Sequence, residues 1–349
     1  MSTKQKSLVI PQQFGTLAVQ DTDIPVPAAG ELLVRVEAAA LNPVDWKIQV
    51  YGDVAVPMAY PGVLGTDGSG VVVRVGEGVT SLAVGDRVLF QSSYTKRSAT
   101  FQHYCVVPAD LAAKIPSNLS FDEAATIPLA CFTAAASLYN DKQPGNGGAG
   151  LLPPWKEGGR NKYAGQPIVV IGGASSVGQY AIQFAKLSGF SPIIATASLH
   201  NEAYVKSLGA SHVIDRNAVL QDAVLEILKE APKFVFDAIG DPDIQLMGYE
   251  LVAPGGTLID ALPCMIDQSK LQSDKEYVFI IAGPFMPHAH ALGVSFYQHL
   301  TQLFESGDLK PSKPEVLPDG LTGVIAGLEK LKNGKVSGVK LVAHPQETQ

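Results

Sequence analysis

The strongest chemical signal in the sequence is a turn made of small residues, Gly172-Gly173-Ala174-Ser175-Ser176-Val177-Gly178. It follows the apolar run Ile168–Ile171 and leads directly into a helical pattern. Residues without bulky side chains let a backbone turn tightly and approach a pyrophosphate, and the last glycine lets the helix pack close to the strand. The first turn of such a helix adds unpaired N–H groups and the positive end of its dipole, both suited to an anion. Ser175 and Ser176 add hydroxyl donors. The stretch departs from a strict G-x-G-x-x-G spacing, since Ser175 stands at the middle glycine. Glycine-rich turns of this kind also occur without a ligand. Position favours the dinucleotide reading, because the turn opens a series of strand–helix–strand units.

The next strand bears on which dinucleotide is bound. An NAD site wants a carboxylate at that strand's end to accept from the ribose 2′-OH. Here the strand ends at Ala197 and Ser198, Leu199-His200-Asn201 follow, and no carboxylate stands before Glu202. Ser198, His200 and Asn201 suit a 2′-phosphate, and Arg216, after the next strand, could supply positive charge. The expected cofactor is NADPH. Ser198 can also cap the helix that follows, and the two roles are compatible.

These residues need a scaffold, and its outline is readable. The chain has 349 residues, 46% of them hydrophobic, and a net charge of −7, which suits a folded chain of two domains. The acidic balance argues against a nucleic-acid binder. No stretch approaches the ~20 apolar residues of a membrane helix, and no apolar core follows Met1–Lys6 to make a signal peptide. Cys105, Cys131 and Cys264 are odd in number and far apart, as expected of small buried hydrophobes in a reducing compartment. The expected location is cytoplasmic. Up to about residue 115, β-branched runs such as Glu31–Leu41, Gly68–Gly76 and Gly85–Phe90 predict a partly closed antiparallel barrel. Phe121–Tyr139 predicts a helix with Ser120 as N-cap. Residues 141–166 are dense in Gly and Pro and predict a long loop, either mobile and functional or a tolerated insertion. From Pro167, apolar strands alternate with amphipathic helices, the pattern of a doubly wound parallel sheet. Lys47 and Tyr51 are expected in a turn or loop of the barrel.

Taken together, "GELLVRVEAAALNPVDWK", "PGVLGTDGSGVVVRVGEGV", "VGDRV", "ATIPLACFTAAASL", "GGASSVGQYAIQFAK", "LGASHVID" and "GKVSGVKLV" resemble the medium-chain dehydrogenase/reductase superfamily over essentially the whole chain. The resemblance implies a GroES-like barrel domain (1–126 and 290–349) and a Rossmann domain (127–289), with NADPH in the cleft between them. Zinc alcohol dehydrogenases of this superfamily begin their metal site with a Cys after the barrel strand and place a Gly-His-Glu later. Those positions read Asn42-Pro43-Val44-Asp45 and Gly65-Thr66-Asp67 here, and catalytic zinc wants His or Cys ligands. No metal is expected. Without a Lewis acid an isolated ketone is hard to polarise. An enone or enoyl thioester needs less, because charge from hydride addition spreads to an oxygen that a few donors can hold.

Within the zinc-less branch, Asn42–Lys47 and Ala195–Asn201 most resemble ToxD-like proteins and trans-acting enoyl reductases that serve polyketide synthases. The resemblance places Lys47 and Thr133 beside the nicotinamide and substrate thioester, and Asn42 and Pro43 near the ribose or carboxamide. It places Gly338, Val339 and Lys340 over the cofactor, and adds Ile239 and Leu262 to the cofactor-binding set. Tyr51 or Tyr60 would protonate the α-carbon. Relatives commonly carry Tyr where Arg216 stands. One alternative is a quinone or 2-alkenal reductase acting on free small molecules, and another is a non-catalytic NADPH-binding structural or sensor protein. An acyl-carrier client predicts a basic patch, with Lys96, Arg97, Lys156, Arg160 and Lys162 as candidates. His288, His290 and His299 lack ligand spacing. The chain is expected as a monomer or a homodimer, and Tyr277–Gly283 is a strand at which a second copy could pair.

Overall fold

The computed structural model describes residues 3–52 and 56–349. The chain begins with β1 (Lys4–Ile10), β2 (Ala18–Asp23), β3 (Glu31–Ala40), α1 (Pro43–Tyr51), β4 (Gly62–Val63), β5 (Asp67–Val75), β6 (Arg87–Gln91), β7 (Tyr104–Pro108), β8 (Ala112–Lys114), α2 (Phe121–Ala125) and α3 (Pro128–Tyr139). Next come β9 (Ile168–Ile171), α4 (Ser176–Ser188), β10 (Ile193–Ala197), α5 (Glu202–Leu208), β11 (His212–Asp215), α6 (Leu220–Leu228), β12 (Phe234–Asp237), α7 (Pro242–Leu251), β13 (Thr257–Asp260) and β14 (Glu276–Phe279). The tail adds α8 (His290–Glu305), β15 (Lys313–Val316), α9 (Gly320–Lys332) and β16 (Val339–Ala343). Two compact units result. One comprises Met1–Leu129, Gly293–Gly307 and Pro311–Gln349, and the other Ala130–Leu292 with Asp308–Lys310.

The first unit is the GroES-like barrel. Its main sheet runs β15-β16-β3-β5-β6-β8, with β7 also on β3, and a smaller sheet runs β2-β1-β4. Inward side chains such as Leu32, Val34, Val36, Val88 and Phe90 form its core. β16 enters antiparallel to β3, setting Val342 opposite Ala40. The predicted helix Phe121–Tyr139 is two helices. Ser120 and Glu123 cap α2 reciprocally, and Pro128, which has no N–H to continue the ladder, starts α3.

The second unit is the Rossmann domain. Its strands lie in the order β11-β10-β9-β12-β13-β14, all parallel. In such sheets ligands bind outside the carboxyl ends of the strands, where the order reverses, here between β9 and β12. The 141–166 segment is irregular but well anchored. Trp155 meets Tyr139 edge-on at 5.4 Å and Phe184 at 5.9 Å. Tyr163 stacks on Phe190 at 5.1 Å, and its hydroxyl accepts the Leu152 N–H at 2.7 Å. The same segment covers the sheet edge: Gly147 N–H donates to Phe279 O at 2.8 Å, and Lys142 pairs with Glu276. The last strand is therefore shorter than the predicted Tyr277–Gly283. After Phe279 the Ile281 N–H turns to Asn146 Oδ1 (2.8 Å).

Candidate active site

Sequence-predicted residues of the Rossmann unit gather at the carboxyl edge of its sheet. Gly172 leaves β9 at φ +78°, a conformation that favours glycine. A Cβ on Gly178 would lie 2.2 Å from Gly172 O, so only glycine allows α4 to start this close. Thr196 of β10 steadies the turn, since its hydroxyl accepts the Gly172 N–H (2.9 Å) and its carbonyl the Gly173 N–H (2.8 Å). Ser175 is the N-cap of α4, accepting the Gly178 N–H at 3.1 Å. The Ser175 oxygen is thus occupied by the cap, although its proton remains to be donated. Ser176 and Val177 open the helix, where N–H groups have no intrahelical acceptor.

At the end of β10, Ser198 makes no side-chain cap bond, which removes the competing capping role. His200 and Asn201 form one short turn with it, and the Asn201 amide contacts His200 Nε2 at 3.2 Å. Arg216 is exposed, and its N–H donates to Ala197 O at 3.0 Å, so its backbone adjoins the end of β10. The nearby carboxylates are engaged elsewhere: Asp215 by Asn217, and Glu202 by Lys206. Ile239 overlies Gly172, its Cδ1 standing 2.5 Å from where a Cβ there would lie, and Leu262 overlies Gly240 in the same way. Thr133 is buried on α3 of this unit. The pyrophosphate of a nicotinamide dinucleotide fits the donors of the glycine turn.

The barrel unit assembles a separate polar cluster. Lys47 lies within helix α1 and not in a turn, because Asn42, Pro43 and Asp45 start that helix: the Asp45 carboxyl accepts the Asn42 N–H at 2.8 Å. Lys47 is half-buried, with its ammonium 5.9 Å from the Trp46 ring centre. Tyr51 ends α1 and is exposed, with its ring against Trp46. Tyr60 packs against the barrel core. The Asn42 side chain donates to Asp67 Oδ2 (2.9 Å) and accepts from the Lys340 ammonium (2.8 Å). Lys340 lies 2.6 Å from the same Asp67 oxygen, and Asp67 Oδ1 accepts the Leu129 N–H at 2.6 Å. Val339, its neighbour on β16, pairs with Lys313 of β15. Burial pushes the Asp45 carboxyl up to about 7, against the N–H bonds it accepts from Asn42 and Gly65.

Zinc does not fit this cluster. The Asn42 and Asp67 side-chain atoms are already engaged with each other and with an ammonium, and the Thr66 hydroxyl is buried. Among the described residues no three His, Cys, Asp or Glu side chains stand together as metal ligands. The ring nitrogens of His288, His290 and His299 face the carbonyls of Ile281, Pro284 and Ser295.

Comparison with known proteins agrees with this architecture. Residues 28–117 match the family model for the alcohol dehydrogenase GroES-like domain, and residues 176–260 that for zinc-binding dehydrogenases. Trans-enoyl reductase himH of Aspergillus japonicus is 36% identical over 323 residues, 89% of each chain. The chain belongs to the medium-chain dehydrogenase/reductase superfamily. Another relative is dehydrogenase azaJ of Aspergillus niger, 36% identical over 96% of this chain and 97% of its own. The fold matches that of an alcohol dehydrogenase superfamily protein from Novosphingobium aromaticivorans, with a TM-score of 0.79 and 24% identity over 97% of this chain and 99% of that one. As a medium-chain dehydrogenase/reductase, this is an oxidoreductase built for a nicotinamide dinucleotide.

Two features were not anticipated from the sequence. The buried Asn42–Asp67–Lys340 arrangement joins residues 298 positions apart, which no local motif reveals. Asp237 and Asp260 end adjacent strands. The similar endings of "FVFDAIG" and "TLIDALP" were the available signal. The predicted basic patch is weaker than its residue count suggests, because Arg97 pairs with Glu31 and Arg160 with Asp308. Lys96, Lys156 and Lys162 are exposed.

Proposed function

We propose that this oxidoreductase uses NADPH and no metal to reduce the carbon–carbon double bond of an α,β-unsaturated carbonyl compound, with an enoyl thioester as the preferred class. The metal-free reading is supported by the Lys340 ammonium held between Asn42 and Asp67, which occupies both side chains with a cation that is not a metal. The enoyl class is supported by the relative named as a trans-enoyl reductase, 36% identical over 89% of this chain. The NADPH preference rests on a β10 end that lacks a free carboxylate and on Ser198, His200, Asn201 and Arg216 beside it.

Gly172, Gly173, Ser176 and Val177 would hold the pyrophosphate, Ser198 and Arg216 the 2′-phosphate, and Ile239, Leu262 and Thr133 the nicotinamide end. Bound there, NADPH supplies the hydride. Lys47 would donate to the carbonyl oxygen as charge builds on it, stabilisation of the kind contributed by preorganised donors. Tyr51, exposed at the end of α1, or water would return a proton to the α-carbon. Oxidation of NADPH and NADH is measured with EDTA-treated protein against short enoyl thioesters, 2-alkenals and quinones. NADPH-only turnover of thioesters is expected, with Lys47→Ala lowering kcat by about 10²-fold or more. Activity lost to EDTA and restored by zinc would overturn the metal-free reading, and turnover of quinones alone would overturn the substrate class.

A further inference from the structure

β12 and β13 are parallel neighbours, and their register sets Asp237 opposite Asp260 at the carboxyl edge of the sheet. Both side chains are fully buried. One oxygen of each holds the turn that follows. Asp237 Oδ1 accepts the N–H groups of Ile239 (2.8 Å) and Gly240 (3.2 Å), and Asp260 Oδ1 accepts that of Leu262 (2.7 Å). The remaining oxygens, Asp237 Oδ2 and Asp260 Oδ2, are buried and meet no N–H donor. The register of β12 on β13 sets the two carboxyl groups side by side. Two ionised carboxylates there would repel and leave both oxygens unsatisfied, whereas one proton between them satisfies both.

We propose that Asp237 and Asp260 share one proton and act as a positioning pair, holding the Ile239–Gly240 and Leu262 turns in the shape that receives the dinucleotide. The role rests on the NADPH reading above. A chain of contacts links the pair to the glycine turn: Leu262 packs over Gly240, and Ile239 over Gly172. Among the described residues, the groups that act on the pair supply no positive charge. Asp241 at the start of α7 faces Asp237. The Tyr277 hydroxyl of β14 faces Asp260 while donating to Leu262 O at 3.0 Å, and Cys264 lies near Tyr277. Burial holds both carboxyls above the ordinary carboxylate range, and the charge of Asp237 adds to this at Asp260. A raised folded-state value means that the stabilising proton is fully held at low pH and lost as pH rises. The turns should therefore loosen on the alkaline side.

In Asp260→Asn an amide N–H2 replaces the shared proton and cannot titrate, while its oxygen still accepts from Leu262. The dissociation constant of NADPH is measured by fluorescence from about pH 6 to about pH 9.5, a range over which the pair is expected to give up its shared proton. The wild-type constant is expected to rise about tenfold or more across this range. Cys264→Ser should rise alike, and Asp260→Asn should stay flat near the wild-type acid-side value. A flat wild-type profile, or an Asp260→Asn profile as steep as wild type, overturns the proposal. Infrared spectra of the cofactor-free protein near neutral pH test the proton separately. A carboxylic acid band in the wild-type minus Asp260→Asn difference spectrum, in which the contribution of the raised Asp45 carboxyl cancels, is expected, and its absence overturns the shared proton. If the band is present but NADPH binds at no pH, it is the NADPH reading that fails, and the positioning role falls with it.

Discussion

Asp67 is fully buried, and its Oδ2 lies 2.6 Å from an ammonium that is itself only 3% exposed. Removing the lysine alone strands a carboxylate without its counter-charge, and breaking a buried pair from one side costs about 3–5 kcal/mol. Lys340→Met should therefore lower the urea-unfolding free energy of the cofactor-free protein by about 3–5 kcal/mol. A loss below about 1 kcal/mol would mean that water reaches Asp67. Asp45, beside this pair, makes a prediction in pH. Its folded value of about 7 lies above that of an unfolded carboxyl. Its contribution to stability is then complete at acid pH and is lost as pH rises towards about 7. Asp45→Asn keeps an acceptor for the Asn42 N–H without titrating. Its stability relative to wild type should improve from about pH 5 to about pH 8, as read by urea unfolding at each pH.

Secondary elements carry these residues to their places, and their patterns were mostly readable. The parallel sheet showed itself as apolar runs of four or five residues separated by helices, and the glycine turn as a cluster of residues without bulk. The start of α1 was written in the sequence as well: Asn42, Pro43 and Asp45 are N-cap, first-turn and back-bonding types. The sequence alone nevertheless suggests a turn there, because nine residues give a weak apolar period. Asp237 and Asp260 could not be paired by inspection, since only the register of β12 on β13 sets them side by side. The 141–166 segment shows the same limit. Gly and Pro mark it as irregular, but its anchoring depends on Trp155 and Tyr163 finding Tyr139, Phe184 and Phe190 in space. Trp155→Ala should cost about 3 kcal/mol by urea unfolding, the usual loss for a large aromatic anchor. A change within about 0.5 kcal/mol would show that the segment is held by its polar contacts alone.

At the scale of the whole molecule, the exposed margin of the Rossmann sheet decides whether a second copy can add to it. Unpaired strand edges invite pairing, and here Gly147, Asn146 and Lys142 lie along β14 and its continuation. The protein should run as a monomer in light-scattering chromatography, and Asn146→Ala should speed hydrogen exchange at the Ile281 amide. A stable dimer unaffected by that substitution would place self-association on another surface. The barrel unit has a further property, one of timing. Asn42 and Asp67 are made early and the lysine that neutralises Asp67 comes 298 residues after Asn42, while the whole of β9–β14 is made in between. On a ribosome the Rossmann unit can therefore close first, whereas the barrel must wait, its central carboxylate still hydrated, until β16 brings Lys340.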